Sequence, residues 1–89
     1  MDWRYVLEPK AAKALSKLSH DTQQQILDYL TQRVLEANNP RAFGKPLSGD
    51  KSGLWRYRMD KYRIICDIRD SVMIVLVIQI GKRDRVYEY

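Results

Sequence analysis

Cysteine and histidine are almost absent from this chain, since each occurs once among the 89 residues. The lone cysteine, Cys66, has no internal disulfide partner and lies in an apolar run, so we expect a small hydrophobic residue of the core. The lone histidine, His20, lies between two predicted helices, which argues against a general acid–base role. The ligand spacings of zinc sites are missing, and the scattered carboxylates do not indicate magnesium. The sequence therefore predicts a protein without metal or cofactor.

Long hydrophobic segments are also lacking. The longest apolar run, residues 72–78, is far shorter than the ~20 residues that span a bilayer. The first residues, Met1-Asp2-Trp3-Arg4, are not a basic leader followed by an apolar segment, so no signal peptide is expected. We therefore predict a cytoplasmic protein with no membrane partner. At this length the chain is expected to form a single domain over 1–89.

The hydrophobic pattern predicts one strand, two helices and three further strands. Pro9 suits the first turn of a helix that ends near Ser19. Ser19 or Asp21 caps a second helix, which Pro40 and the two preceding asparagines stop. The strands are expected over 3–7, 54–59, 62–69 and 71–80. The order β-α-α-β-β-β predicts an α+β fold in which a helical hairpin packs on a mainly antiparallel twisted sheet.

Between the second helix and the next strand, residues 39–54 are rich in proline, glycine and polar side chains. This connection is long for so small a domain. Lys45 and Lys51 lie within it. Because most exposed charges are merely solvated, a plain connector is the favoured interpretation, and we assign these lysines no role.

The positive charge is unevenly distributed along the chain. The net charge is +5; residues 1–50 carry 7 basic and 6 acidic side chains, and residues 51–89 carry 9 and 5. The excess is thus +1 in the first part and +4 in the second. A localised basic excess favours association with nucleic acid.

Three arginines of the C-terminal part are expected on one face of the sheet. Side chains two apart in a strand share a face, so Arg56 and Arg58 project together, and Arg63 follows on the next strand. Arg83 follows three residues after the last predicted strand. A guanidinium stays protonated near neutral pH, and its planar fork of donors matches phosphate oxygens. The cluster therefore predicts a site for a polyanion.

A second interpretation remains open for each of these groups. The arginines can form a solvated face paired with Asp60, Asp67 and Asp84. Tyr87 can handle protons or stack on a base, because nearby arginines would favour its phenolate. It can equally be an aromatic side chain that packs at the edge of the core.

Three motifs in the C-terminal third resemble the RelE superfamily of bacterial type II toxins, and the likeness extends over nearly the whole chain. The motifs are Trp55-Arg56-Tyr57-Arg58, Tyr62-Arg63-Ile64-Ile65, and Ile80-Gly81-Lys82-Arg83 with Val86-Tyr87. The resemblance implies the RelE-like microbial ribonuclease fold. It also implies a metal-independent, ribosome-dependent endoribonuclease, which cuts mRNA in the A site by attack of the ribose 2′-OH and so inhibits translation.

The resemblance also implies roles for single residues. Arg63 and Arg83 look like the arginines that bind and stabilise the scissile phosphate, and Tyr87 looks like the catalytic tyrosine. Arg56 and Arg58 stand where some members have lysines, which leaves the general base open; they are candidates for catalysis and for phosphate binding. Lys82, where many relatives have histidine, and Arg85 are further candidates for RNA binding.

Three functions are therefore expected in order of preference. The first is the mRNA endoribonuclease, whose partners would be the ribosome with mRNA in its A site and a cognate antitoxin in a hetero-oligomeric complex. The second is a ParE-like toxin, which inhibits DNA gyrase without cutting RNA. The third is a noncatalytic module that binds RNA or the ribosome.

Overall fold

A computed structural model describes residues 2–48 and 53–82. The two helices are α1 (Pro9–Ser16) and α2 (His20–Leu30), and α2 continues into a wider helical turn over Thr31–Glu36. The five strands are β1 (Arg4–Leu7), β2 (Lys45–Pro46), β3 (Trp55–Met59), β4 (Tyr62–Arg69) and β5 (Ile74–Lys82). Within the described ranges, no helix is long and apolar enough to cross a membrane.

The strands form one mixed sheet in the order β1-β5-β4-β3-β2. The strands β2 to β5 pair antiparallel in succession, and β1 runs parallel to β5 at the far edge. Such a parallel neighbour needs a long connection between the strands, which here includes the helical hairpin. The predicted α+β fold, with helices on a mainly antiparallel sheet, is confirmed.

Each helix begins where the sequence places its start. Pro9 occupies the first turn of α1, where a missing N–H leaves no hydrogen bond unmade. The Ser19 side chain accepts a hydrogen bond from the Thr22 backbone N–H at 3.2 Å, so Ser19 rather than Asp21 caps α2. The first helix ends at Ser16, three residues before Ser19, because Ser19 already has the extended backbone of the next cap.

The hydrophobic core lies between the helices and one face of the sheet. Cys66 is fully buried, which confirms the prediction of a core cysteine, and burial raises the pKa of its thiol. The core includes Ala11, Leu15, Ile26, Leu30 and Val34 from the helical segments and Tyr57, Ile64, Cys66, Val75, Val77 and Ile80 from the strands. Because strand side chains alternate, the residues between these strand positions face away from the helices.

The last strand and the connection before β3 differ from the prediction, and the last strand also ends at Lys82 rather than at 80. The last strand begins at Ile74 rather than at 71, because Asp70–Val72 form a single 3-10 turn and Met73 takes a left-handed conformation with φ of 53°. The connection over 39–54 contains the short strand β2, whose Lys45 pairs with Arg56 of β3. This pairing was missed because a two-residue strand has no hydrophobic alternation to detect.

Candidate nucleic-acid interface

The register of the sheet brings the three strand arginines together. Arg58 of β3 lies directly opposite Arg63 of β4, and Arg56 lies opposite Ile65. Their strand neighbours Tyr57 and Ile64 belong to the core, so the three arginines face away from the helices. We call this surface the arginine face, defined by Arg56, Arg58 and Arg63. The strand register thus places the three arginines on one face of the sheet, as the alternation predicts.

One of the expected acidic partners does not neutralise this face. Asp67 instead accepts a hydrogen bond from Nε of Arg69, two residues along its own strand, at 2.8 Å. Like charges directly opposite each other destabilise a pair of strands. The pairing of Arg58 with Arg63 is therefore a local electrostatic cost.

Arg63 has the most unusual environment of the three arginines. It is 3% exposed, and its Nη1 donates a hydrogen bond to the Tyr62 backbone oxygen at 3.2 Å. Its Nε is buried and has no hydrogen-bond partner in the described parts of the chain. A buried donor left unpaired costs about 1–3 kcal/mol, and more when the group is charged. An anion at this position would remove that cost.

A second buried polar atom lies on the same face. Gln79 of β5 pairs with Ile65, and Gly81 pairs with Arg63, so Gln79 is a diagonal neighbour of Arg63. Its Oε1 is buried and accepts no hydrogen bond from the residues that the structure describes. An unused acceptor thus lies on the same face as an unused donor. Sequence reasoning missed Gln79, whose signal was a single amide within an apolar strand.

Lys82 does not join the arginine face. It pairs with Tyr62, which packs in the core on the helix side of the sheet. Lys82 instead lines an open cavity of about 430 Å³ beside α1, together with Lys10, Lys13 and Lys17. Its predicted contact with RNA phosphates therefore belongs to a different surface from that of the three strand arginines, and it stays a prediction.

The remaining candidate residues, Arg83, Arg85 and Tyr87, lie outside the described residues. Their roles stay predictions from the sequence. Within residues 2–48 and 53–82, no three His, Cys, Asp or Glu side chains form a group that could hold a metal ion.

A second open cavity, of about 340 Å³, adjoins the arginine face at the edge of β3. We call it the β3-edge cavity; it is lined by Tyr29, Arg33, Phe43, Gly44, Lys45, Arg56 and Arg58. The Arg33 guanidinium carbon lies 5.1 Å from the centre of the Tyr29 ring and 4.4 Å from that of the Phe43 ring. Sequence reasoning treated Lys45 as part of a connector, and it found no signal for Tyr29, Arg33 or Phe43.

Several contacts fix the loop that carries Phe43. The buried Tyr57 hydroxyl donates a hydrogen bond to the Pro40 oxygen at 2.6 Å, and the pKa of Tyr57 is raised, mainly by burial. Arg41 forms two hydrogen bonds with the Asp70 carboxylate, at 2.8 and 2.9 Å. Through the hydrogen bond from Arg41, the pKa of Asp70 is lowered. The loop is therefore tied both to β3 and to the turn before β5.

Several solved structures with a similar fold are toxins or complexes of a toxin with its antitoxin. The chain is similar to the RelBE2 toxin–antitoxin complex of Mycobacterium tuberculosis (TM-score 0.79, 21% identity, 93% of this chain and 100% of that chain). It is also similar to a free Escherichia coli RelE toxin with two arginines replaced (TM-score 0.75, 24% identity, 99% of this chain and 93% of that chain). A third similar structure is a YoeB/ParE toxin from Agrobacterium tumefaciens (TM-score 0.71, 21% identity, 90% of this chain and 98% of that chain).

These likenesses establish the fold, and a match to a family of sequences defines the class of the protein as a type II toxin of the RelE/ParE superfamily. The sequence model described as "ParE toxin of type II toxin-antitoxin system, parDE" matches residues 5–87. The chain therefore belongs to the ParE toxin family. None of the curated protein sequences matches it.

Proposed function

We propose that this toxin is a ribosome-dependent mRNA endoribonuclease of the RelE-like kind. The observation that supports this most is the buried Nε of Arg63, which has no hydrogen-bond partner among the residues that the structure describes. The sheet face that carries it also carries Arg56 and Arg58. A face built only for a protein partner has no need of a guanidinium that is buried with a donor unused. A phosphate oxygen at this point would complete the hydrogen bonding and balance the charge.

The proposed reaction needs no metal. The ribose 2′-oxygen attacks the adjacent phosphorus, the bond from phosphorus to the 5′-oxygen breaks, and the products are a cyclic phosphate and a 5′-hydroxyl end. Negative charge develops on the phosphorane oxygens, where Arg63 would stabilise it. Arg56 and Arg58 would hold substrate phosphates; they are poor general bases because a guanidinium holds its proton firmly near neutral pH.

Gln79 suits the positioning of a hydroxyl in the same reaction. A hydroxyl can both donate and accept a hydrogen bond, and the arginine face offers an unused acceptor in Gln79 and an unused donor in Arg63. Holding the nucleophile in line is a large part of what an enzyme contributes to such a reaction. Arg83 and Tyr87 would supply a second cation and a group for proton transfer, as the sequence resemblance implies.

A ParE-like action on DNA gyrase is the second candidate, because the matching family model is that of the ParE toxins over residues 5–87. In that case the arginine face would contact a protein. In both cases we propose a cognate antitoxin as partner, since the similar structures include complexes of toxin and antitoxin. We also propose the cytoplasm as the place of action.

Primer extension on a defined mRNA tests the proposal, in a purified translation system with and without ribosomes. We expect cuts within A-site codons only when ribosomes are present. Arg63→Lys, which keeps the charge but removes the planar fork, should lower the cleavage rate about 10²-fold or more. The matched control is Arg69→Ala on the same strand, whose exposed side chain pairs with Asp67; its rate should stay within about threefold of wild type.

A parallel supercoiling assay with purified gyrase separates the two candidates. Intact mRNA during active translation, together with loss of gyrase activity, would replace the ribonuclease proposal by the ParE-like one. Intact mRNA with fully active gyrase, but with protein bound to ribosomes, would indicate the noncatalytic module.

A further inference from the structure

The β3-edge cavity combines flat side chains with positive charge. Phe43 is 39% exposed, and the Arg33 guanidinium lies 4.4 Å from its ring centre. The same guanidinium also lies 5.1 Å from the centre of the Tyr29 ring. Aromatic rings and guanidinium planes are the surfaces on which unpaired RNA bases stack. The cavity thus offers a platform for one planar group.

Four cationic side chains line the same space: Arg33, Lys45, Arg56 and Arg58. No carboxylate is among the described residues that line it. Neither the ion pair of Arg41 with Asp70 nor that of Arg69 with Asp67 includes a residue that lines the cavity. The local charge is therefore positive, which favours a ligand with negative charge.

The platform is held in place before any ligand arrives. The Trp55 ring nitrogen donates a hydrogen bond to the Phe43 backbone oxygen at 2.8 Å, and Lys45 pairs with Arg56 in the sheet. Gly44, between them, has a φ of 81° and lies too close to β3 for a side chain. Because the loop is already ordered, binding does not require it to lose much conformational freedom.

The cavity is continuous with the arginine face, since Arg56 and Arg58 belong to both. We propose that the β3-edge cavity binds a nucleotide of single-stranded RNA that neighbours the scissile phosphate. Its base stacks on Phe43 and Arg33, and its phosphate lies beside Lys45 and Arg58. This inference rests on the proposed RNA-cleaving function and extends the RNA contacts beyond the residues that cut. Because stacking accepts every base, the site binds RNA with little sequence preference.

Ribosome-free binding of a short fluorescein-labelled single-stranded RNA, followed by fluorescence anisotropy, tests the site. Phe43→Leu keeps an apolar side chain but removes the ring, and it should weaken binding about tenfold. Phe43→Trp should retain wild-type affinity, since a larger ring also stacks. Lys45→Ala should weaken binding and lower the slope of log Kd against log salt concentration by about 0.7.

The matched control for charge is Arg4→Ala, which also removes one positive charge but lies on β1, at the opposite edge of the sheet from β2. Its RNA affinity should equal that of wild type. Thermal melting of each variant checks the fold, and the exposed position of Phe43 predicts a melting temperature close to that of wild type.

Two results would overturn the site. The first is wild-type protein that binds no single-stranded RNA, and the second is equal affinity of wild type, Phe43→Leu and Lys45→Ala. Direct binding of a labelled acidic peptide that is lost in Phe43→Leu, without any RNA binding, would assign the cavity to a protein partner instead. Failure of the site and failure of the proposed function are distinguishable. If the protein cleaves mRNA during translation but the variants bind RNA as tightly as wild type, only the proposed binding site is rejected. If the variants bind RNA more weakly but wild type cleaves no mRNA, only the ribonuclease proposal is rejected.

Discussion

Replacement of Gly44 by alanine should destabilise the protein much more than the same replacement at Gly53. Both glycines have a left-handed backbone, with φ of 81° and 97°. A Cβ at Gly44 would overlap the Arg56 backbone oxygen and would lie 2.7 Å from the Trp55 ring nitrogen. A Cβ at Gly53 would meet no atom within 4 Å. The two variants therefore share the backbone strain but differ in the collision.

The expected magnitudes follow from this difference. An alanine in the left-handed region costs about 1–2 kcal/mol, of which about 0.4–1 kcal/mol is offset because alanine restricts the unfolded chain. Gly53→Ala should therefore lower the free energy of unfolding by about 0–1.5 kcal/mol. At Gly44, overpacking adds about 1–3 kcal/mol. Moving the loop away would also strain the hydrogen bond from Trp55 to Phe43, worth about 1 kcal/mol.

Gly44→Ala should thus lose about 2–5 kcal/mol, while Gly53→Ala loses little. Urea unfolding followed by tryptophan fluorescence measures both values, and an unchanged m-value would show that the same surface is exposed on unfolding. In thermal melting, each kcal/mol corresponds to about 4–8 °C for a domain of this size. An equal loss of unfolding free energy in the two variants would refute the close packing of the Gly44 loop against β3.

Three further predictions concern buried and paired groups. Tyr57→Phe should destabilise by about 1–3 kcal/mol in urea unfolding, because the buried Pro40 oxygen loses its hydrogen-bond donor. The pKa of Asp70, followed by NMR titration, should lie below its usual range and should return towards that range in Arg41→Ala. The ion pair stabilises the folded protein at pH values above that range, and this small contribution is lost as the pH falls through the lowered pKa. Cys66 should react with a thiol reagent at least about 10³-fold more slowly in the native protein than in denaturant, because it is buried and its thiol pKa is raised.

Each of these three predictions would be contradicted by a specific result. Tyr5 is half-buried, and its hydroxyl makes no hydrogen bond with the described residues, so Tyr5→Phe should change stability by less than about 0.5 kcal/mol. If both tyrosine variants change stability equally, the hydrogen bond from Tyr57 to Pro40 does not contribute to stability. If Arg41→Ala leaves the titration of Asp70 unaltered, the ion pair is not the cause of the lowered pKa. Rapid labelling of native Cys66 would show that the core opens readily.

Local rules within the sequence were enough for much of the fold. Ser19 can cap a helix because its hydroxyl reaches a backbone N–H three residues on, and Pro9 fits a first helical turn wherever it occurs. Alternation along β3 and β4 placed Arg56, Arg58 and Arg63 on one face without knowledge of the rest of the chain. These features depend on neighbours within a few residues, so they can be read before the chain folds.

The faces of β5 could not be predicted in the same way. Strict alternation from Val75 and Val77 would turn Gln79 towards the helices. The sheet instead contains a bulge, since Ile65 pairs with Gln79 while Cys66 pairs with Val77, and the extra residue reverses the alternation beyond it. Gln79 is thereby placed on the arginine face and Lys82 beside α1. A bulge depends on how two strands pack against the whole core, and no pattern in β5 alone reveals it.

The sequence by itself therefore determined the class of fold, the positions of the helices and the shared face of three arginines, because each follows from local geometry. Only the tertiary structure decided which side chains that are far apart in the sequence lie close together. It buried Arg63 with an Nε that has no hydrogen-bond partner among the described residues, and it brought Gln79 to the same face. It also formed the β3-edge cavity, to which Tyr29, Arg33, Phe43 and Lys45 contribute. Such meetings depend on strand register and loop packing, which no single segment of the chain specifies.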